Sequence, residues 1–425
     1  MEYGEKLKDI LQQLPRGQQI QEREMRWLEQ AALSHRLTFQ EIRILHSMLI
    51  DFNMWEANQL ERLQLLLNAA DTHKDKFMQQ CRTLYEKIKA SPISYDIKKA
   101  VTTERKKFTF GTLPKEDKIL GTCPVASDKT LCCNLMTLDA ARNCAFDCHY
   151  CSIRSFYPDD KILLESNLNE KLKELQLAPD KIYHIGTGQS SDSLIWGNRQ
   201  GILDDLTAFA RNNSNVILEM KSKSNNISHF KDKQIPRNMI FTWSLNPQIV
   251  IDNEEKNTSS LTERIAAARA MADNGSLVGF HFHPMLAYEN ADQDYADIAR
   301  SLMQKFSPQE IATISFGTLT FTKKTMRLIR ARSIKSKVLQ LPLQTVAGKF
   351  STPLSYKIAL FKNIFDVFSP WKKQVFFYFC MEEREVWENI FGFSYNDNLD
   401  FEQQMKAAYM EKIAVKKIDM YVNET

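Results

Sequence analysis

Asn143-Cys144-Ala145-Phe146-Asp147-Cys148-His149-Tyr150-Cys151 is the stretch on which the reading of this chain turns. Its three cysteines are spaced CxxxCxxC, and three thiolates are one short of the four that close an iron-sulfur cube. The deficit leaves one iron open to an outside ligand, much as a catalytic zinc keeps one open position. The ligand most often found in such a position is S-adenosylmethionine, which an electron from the cluster breaks to a 5'-deoxyadenosyl radical. The competing reading is a structural zinc knot. Zinc knots usually pair CxxC with a second CxxC or a His pair, and although His149 lies inside the loop, no such pair follows at finger spacing.

Outward from this loop, short apolar runs at 135–138, 182–185, 216–220, 239–245, 278–282 and 313–319 alternate with amphipathic helices that include 201–211, 261–274 and 295–306. Six βα units in register predict an α/β fold, a partial (β/α)6 TIM-like barrel with its chemistry at the C-terminal ends of the strands. The cysteine loop follows the first strand and so belongs to that face. Before about residue 110 the texture differs: Leu7, Ile10, Leu11 and Leu14, then Ile42, Leu45 and Leu49, then Leu60, Leu63 and Leu67 recur at helical spacing. Thr38 and Glu41 form a capping box, and Pro15 with Gly17 closes an earlier helix. Ser91-Pro92 and the charged run Glu104-Arg105-Lys106-Lys107 mark a linker. The expected organisation is an all-α N-terminal domain over 1–105, the barrel over 106–393 and a C-terminal helical tail over 394–425.

Polar residues gather where the other strands end. Gly186-Thr187-Gly188-Gln189-Ser190-Ser191-Asp192 follows the second, Lys221-Ser222-Lys223-Ser224-Asn225 the third, and Thr242-Trp243-Ser244-Leu245-Asn246-Pro247 the fourth. The glycines allow a ligand close to the backbone, and the ring of loops around one mouth reads as a pocket. The fifth strand ends His281-Phe282-His283-Pro284. Its two histidines are expected on opposite faces, His283 meeting substrate or cofactor and His281 hydrogen-bonded in the interior.

Composition sets the bounds. A chain of 425 residues with 43% hydrophobic content can bury a large core plus a small domain. A formal net charge of +4 is mildly basic and compatible with nucleic-acid contact. Eight cysteines in this length are no disulfide framework. The opening MEYGEKLKDI has no apolar signal core, and no run approaches the roughly 18 apolar residues of a membrane span. A reducing cytoplasm is therefore expected.

Residues 123 to about 392 resemble the spore photoproduct lyase family of radical S-adenosylmethionine enzymes. The matching stretches are CPVASDKTLCC, NCAFDCHYC, Ser190-Ser191-Asp192, LEMKSKSNN, FTWSLNP, VGFHFHP, ISFGTL and CMEEREVWENIFGF. The resemblance implies a 4Fe-4S cluster on Cys144, Cys148 and Cys151, and S-adenosylmethionine held through Ser191, Lys223 and Ser244. Asn246 and His283, at the same mouth, join these as cofactor-binding candidates. An electron donor such as flavodoxin or ferredoxin is implied as well.

Departures from the family pattern matter as much. The family's hydrogen-donating cysteine is replaced here by Gln189, and the tyrosine after the third cluster cysteine by Ser152. A carboxamide cannot return a hydrogen atom to a carbon radical, because its N-H bond is far stronger than a thiol's S-H. Tyr150 remains, and Cys123, Cys132, Cys133 and Cys380 are candidate donors or ligands of a second metal or cluster, Cys132-Cys133 lying close in sequence to the cluster loop; buried packing is their ordinary role. Where the family presents an arginine and a tyrosine on a hairpin against DNA, residues 341–353 offer Lys349 and Phe350. Three functions follow: a photoproduct lyase-like DNA repair enzyme, a radical enzyme acting on another substrate, or a non-catalytic cluster protein whose helical domain recruits a partner.

Overall fold

The computed structural model describes residues 3–14, 20–69, 73–96, 108–123, 129–153, 156–157, 160–346 and 348–423. The expected stop at Pro15 and Gly17 and the linker at 104–107 lie outside the described residues. The chain divides into two compact units.

One unit comprises residues 1–95, 287–289 and 320–350. Its helices are Tyr3–Gln13, Glu22–His35, Phe39–Met54, Leu60–Asn68 and Lys74–Lys89, followed by Lys323–Arg330. Thr38 caps the third: Glu41 accepts the Thr38 N-H at 2.6 Å, and the Thr38 hydroxyl accepts that of Glu41 at 3.4 Å. Ile42, Leu45 and Leu49 turn inward with Trp27, Trp55 and Phe77. Cys81 is wholly buried among them, and burial pushes its thiol up to about 12. Buried Asp51 receives two bonds from Arg330, each 2.8 Å, and one from Tyr85 at 2.7 Å. Lys349 and Phe350 begin the strand Lys349–Ser351, in one small sheet with Gln344–Val346 and Thr320–Phe321.

The other unit holds an eight-stranded sheet in the order Phe376–Phe379, Ile311–Thr318, Val278–Met285, Met239–Ser244, Val216–Ser222, Tyr183–Thr187, Met136–Leu138, Leu120–Thr122. All neighbours are parallel except the last pair. This is an open half-barrel of α/β type. The six apolar runs fall on six of its parallel strands, and Phe376–Phe379 adds a seventh. Helices Ile202–Asn212, Leu261–Asp273, Ala291–Lys305 and Leu354–Val367 accompany it. No helix among the described residues is long and apolar enough to cross a membrane.

Side chains alternate across this sheet. On one side Phe282, Phe316, Phe377 and Phe379 pack with Phe361, Phe365 and Phe368 of the Leu354–Val367 helix and its end. On the inner side Glu219 accepts from Thr242 at 2.8 Å and pairs with His184 at 2.8 Å and His281 at 2.7 Å. Burial works to raise the Glu219 carboxyl, but the two histidine hydrogen bonds hold it well below the usual carboxylate range. Ser315 meets the other nitrogen of His281 at 2.6 Å.

The expectation of opposed histidines is corrected here. Residues two apart on a strand share a face, and both His281 and His283 feel the charge of Lys221 on the inner side. His281 is the interior, hydrogen-bonded one; His283 stands above it towards the mouth. The C-terminal helix Asn398–Asn423 covers the lower inner face, with buried Tyr409 packed edge-on against His184 and Phe376.

Candidate active site at the barrel mouth

The cysteine loop is held on both flanks by short ladders. Ala141–Arg142 pairs antiparallel with Lys161–Leu164, and Asp147–Cys148 with Glu255–Lys256. The His149 amide donates to the Glu254 carbonyl at 2.8 Å, and the His149 ring meets the Glu254 carboxylate at 2.9 Å. Tyr150 is buried, and its hydroxyl donates to Glu255. Glu255 also receives Arg264 at 2.6 Å and Asn246 at 2.7 Å, while Asn246 accepts from Tyr295 at 2.7 Å. Burial opposes ionisation of Glu255, yet Arg264 foremost and then Lys223 bring it down to about 2.

That network takes in two of the candidates. Tyr150 and Asn246 stand behind the loop and fix its geometry, with Asn246 fully buried. Lys223 stands in front. Its ammonium lies 5.8 Å from the centre of the Tyr150 ring and acts on Cys148.

The loop after Tyr183–Thr187 reaches the same place. Gly188 has φ +86°, and a Cβ there would stand 2.5 Å from the Lys221 carbonyl oxygen, so only glycine fits. Ser191 donates to the Asn143 carbonyl at 2.7 Å and accepts from Trp196 at 2.9 Å, which ties this loop to the residue before Cys144. Asp192 accepts the Lys223 amide at 2.7 Å, the Ser222 hydroxyl at 2.8 Å and the Leu194 and Ile195 amides at 3.0 Å. Ser244 is 2% exposed, and its hydroxyl has no hydrogen-bond partner among the described residues. Gln189 is half-buried in the same loop. His283 lies against Gly317, where a Cβ would approach its ring to 2.9 Å, and burial, then Lys221, hold the ring well below its ordinary pKa.

The three thiols fit an iron-sulfur cube. Cys144 feels the charge of Cys151 and Cys148, and Cys148 that of Cys151. Burial first, then Asp192, keeps Cys144 well above the usual thiol range, and burial pushes Cys148 up to about 12, so both would shed their protons on binding metal. Among the described residues no three His, Cys, Asp or Glu side chains are grouped to hold a single ion.

Two residues carry more than the sequence singled out. Lys221 shares the inner face with Glu219 and Lys223, a relation the period of two in Glu219-Met220-Lys221-Ser222-Lys223 already carried. Arg264 is fully buried in the Leu261–Asp273 helix, and nothing local in its sequence marks it.

The spore photoproduct lyase family model matches residues 130–351. Spore photoproduct lyase of a Geobacillus species is 24% identical over 205 residues, covering 47% of this chain and 60% of that protein. The Bacillus subtilis protein of the same name is 31% identical over 127 residues, 28% of this chain and 36% of its own. The chain thus spans about three-fifths or less of the length of these curated relatives. A solved spore photoproduct lyase complexed with dinucleoside spore photoproduct superposes with TM-score 0.54 at 20% identity, covering 64% of this chain and 81% of that one. A mutant lyase with bound AdoMet and dinucleoside spore photoproduct gives 0.55 at 19%, covering 70% and 94%. At these identities the structural likeness speaks for the fold.

Proposed function

We propose, from the premise that this chain belongs to the spore photoproduct lyase family, that its barrel mouth is a radical S-adenosylmethionine site. In this reading Cys144, Cys148 and Cys151 hold a 4Fe-4S cluster, while Lys223, Ser191 and Ser244 serve the amino-acid end of S-adenosylmethionine. Bound there, the pair would supply radical chemistry: one electron from a donor such as flavodoxin or ferredoxin would break the S–C5' bond, leaving methionine and a 5'-deoxyadenosyl radical able to take a hydrogen atom from a substrate. The chain's own part is positional. Arg264, Glu255 and Asn246 brace the loop from behind, Asp192 fixes the backbone of Lys223, and His283 faces the mouth from the opposite strand. An oxygen-sensitive cluster suits the reducing cytoplasm expected from the sequence.

The observation that carries this reading is the ammonium of Lys223 beside Cys148, with no hydrogen bond or ion pair among the described residues. An anionic carboxylate held there would find both a cation and the neighbouring Ser244 hydroxyl. Anaerobically reconstituted protein given dithionite and S-adenosylmethionine is expected to release 5'-deoxyadenosine, and a Cys148→Ala protein is not. Equal yields from the two would remove the proposal.

Two substrate classes stand. The relatives' dinucleoside photoproduct makes DNA the first, with Lys349 and Phe350 as its contacts; binding through the phosphate backbone would weaken steeply as salt rises. Gln189 favours the second, a substrate whose radical product needs no hydrogen atom returned by this loop.

A further inference from the structure

We propose that Cys123, Cys132, Cys133 and Cys380 form a second iron-sulfur site, closed by four thiolates, where the two edges of the open half-barrel are bridged. It is separate from the Cys144 loop and stands whether or not that loop handles S-adenosylmethionine.

Three chain segments bring the thiols together. Leu120–Thr122 runs antiparallel to Met136–Leu138 at one edge of the sheet, and the Cys123 amide continues that ladder to the Leu135 carbonyl at 3.1 Å. Cys123 therefore lies beside the segment that begins with Cys132-Cys133. At the other edge Phe376–Phe379 ends in Cys380, whose amide donates to the Phe316 carbonyl at 2.8 Å. Thr130–Leu131 then pairs antiparallel with Glu382–Glu383, Leu131 opposite Glu382, which draws Cys132 beside Cys380. Asn398 accepts the Cys132 amide at 2.9 Å. Cys132 and Cys133 are neighbours in the chain, and Cys133 feels the charge of Cys132, Cys380 and Cys123.

Ordinary packing explains this poorly. A cysteine used as a small apolar residue is closed off, as Cys81 is, whereas Cys123, Cys133 and Cys380 keep part of their surface open. Lys221 supplies the second argument. Its side chain points to the inner side, acts on Cys380, His281 and His283, and has no hydrogen bond or ion pair among the described residues. A half-buried ammonium that makes no ion pair can take a nearby anion. Four thiolates on a cluster carry net negative charge, and Lys221 would offset it.

The test reconstitutes the full chain anaerobically with ferrous iron and sulfide, then counts iron and acid-labile sulfide per chain. A triple variant, Cys144→Ala with Cys148→Ala and Cys151→Ala, removes the first site. It is expected to retain about two to four irons with matching sulfide, and to show a low-temperature EPR signal on reduction. Adding Cys132→Ser and Cys380→Ser should abolish both. In the otherwise native chain that serine pair should lower iron content by the same number. A triple variant that holds no iron overturns the proposal, and this arm needs no change at the second site. So does a single zinc per chain, or a serine pair that leaves iron content unchanged. Failure of the Cys144 site would show instead as absent 5'-deoxyadenosine with the second cluster's iron still present.

Discussion

Asp192 accepts the backbone amide of Lys223 at 2.7 Å, so one carboxylate sets where the mouth's forward cation begins. Asp192→Asn would turn an N-H towards that amide or lose the Ser222 contact. The expected result is about tenfold weaker S-adenosylmethionine binding and about 1–3 kcal/mol lower stability, with iron content unchanged. Equilibrium dialysis and urea melts measure the two; native affinity in the variant would deny Asp192 this positioning role.

Arg264 and Glu255 are both fully buried and 2.6 Å apart. Removing the cation alone strands a charge, so Arg264→Met should cost about 3–5 kcal/mol in urea unfolding. Arg264→Met with Glu255→Gln should recover part of that loss. A single variant as stable as the native chain would contradict the bracing role.

Gly317 leaves room for the His283 ring, from which an added methyl carbon would stand only 2.9 Å away. Gly317→Ala is expected to cost about 1–3 kcal/mol through overpacking. In a double-mutant cycle with His283→Ala the cost should shrink. Additive losses would mean that the two residues do not share this space.

Acidification should weaken the fold through the inner-face histidines. Burial, the leading cause, lowers both His281 and His283 from the ordinary 6.5, and Lys221 adds to it. Between the ordinary value and their lower folded values the unfolded chain binds more protons. Stability is therefore complete above about pH 6.5 and falls as pH drops, by at most about 1.4 kcal/mol per unit for each histidine. His283→Gln should flatten the slope in urea melts between pH 7 and 5; an unchanged slope would assign the loss elsewhere.

Gln189 predicts that dinucleoside spore photoproduct will not be reversed cleanly by the native chain. Product analysis should find no repair, or aberrant adducts. Gln189→Cys is expected to raise the share of intact thymine product. Clean repair by native protein would show that another residue returns the hydrogen atom.

The parallel core was legible because apolar runs and helical periods alternate at regular spacing, and the cysteine loop because its spacing is chemically restrictive. Phe376–Phe379 was missed because four aromatic residues after a charged stretch carry no alternation to distinguish strand from helix. That omission also hid the approach of Cys380 to Cys132, which depends on the two sheet edges meeting. Arg264 could not be found from sequence, since an arginine in a helix ordinarily faces water and only the tertiary fold turns this one inward. The histidines fell to an error of parity: the residues sit two apart, and the pleat places them together.

The helix Asn398–Asn423 lies under the strands with Phe401, Met405 and Tyr409 buried against the inner face. That dry aromatic floor beneath Glu219 and His184 lowers the local dielectric, so charge interactions on the inner face are stronger there than they would be in water.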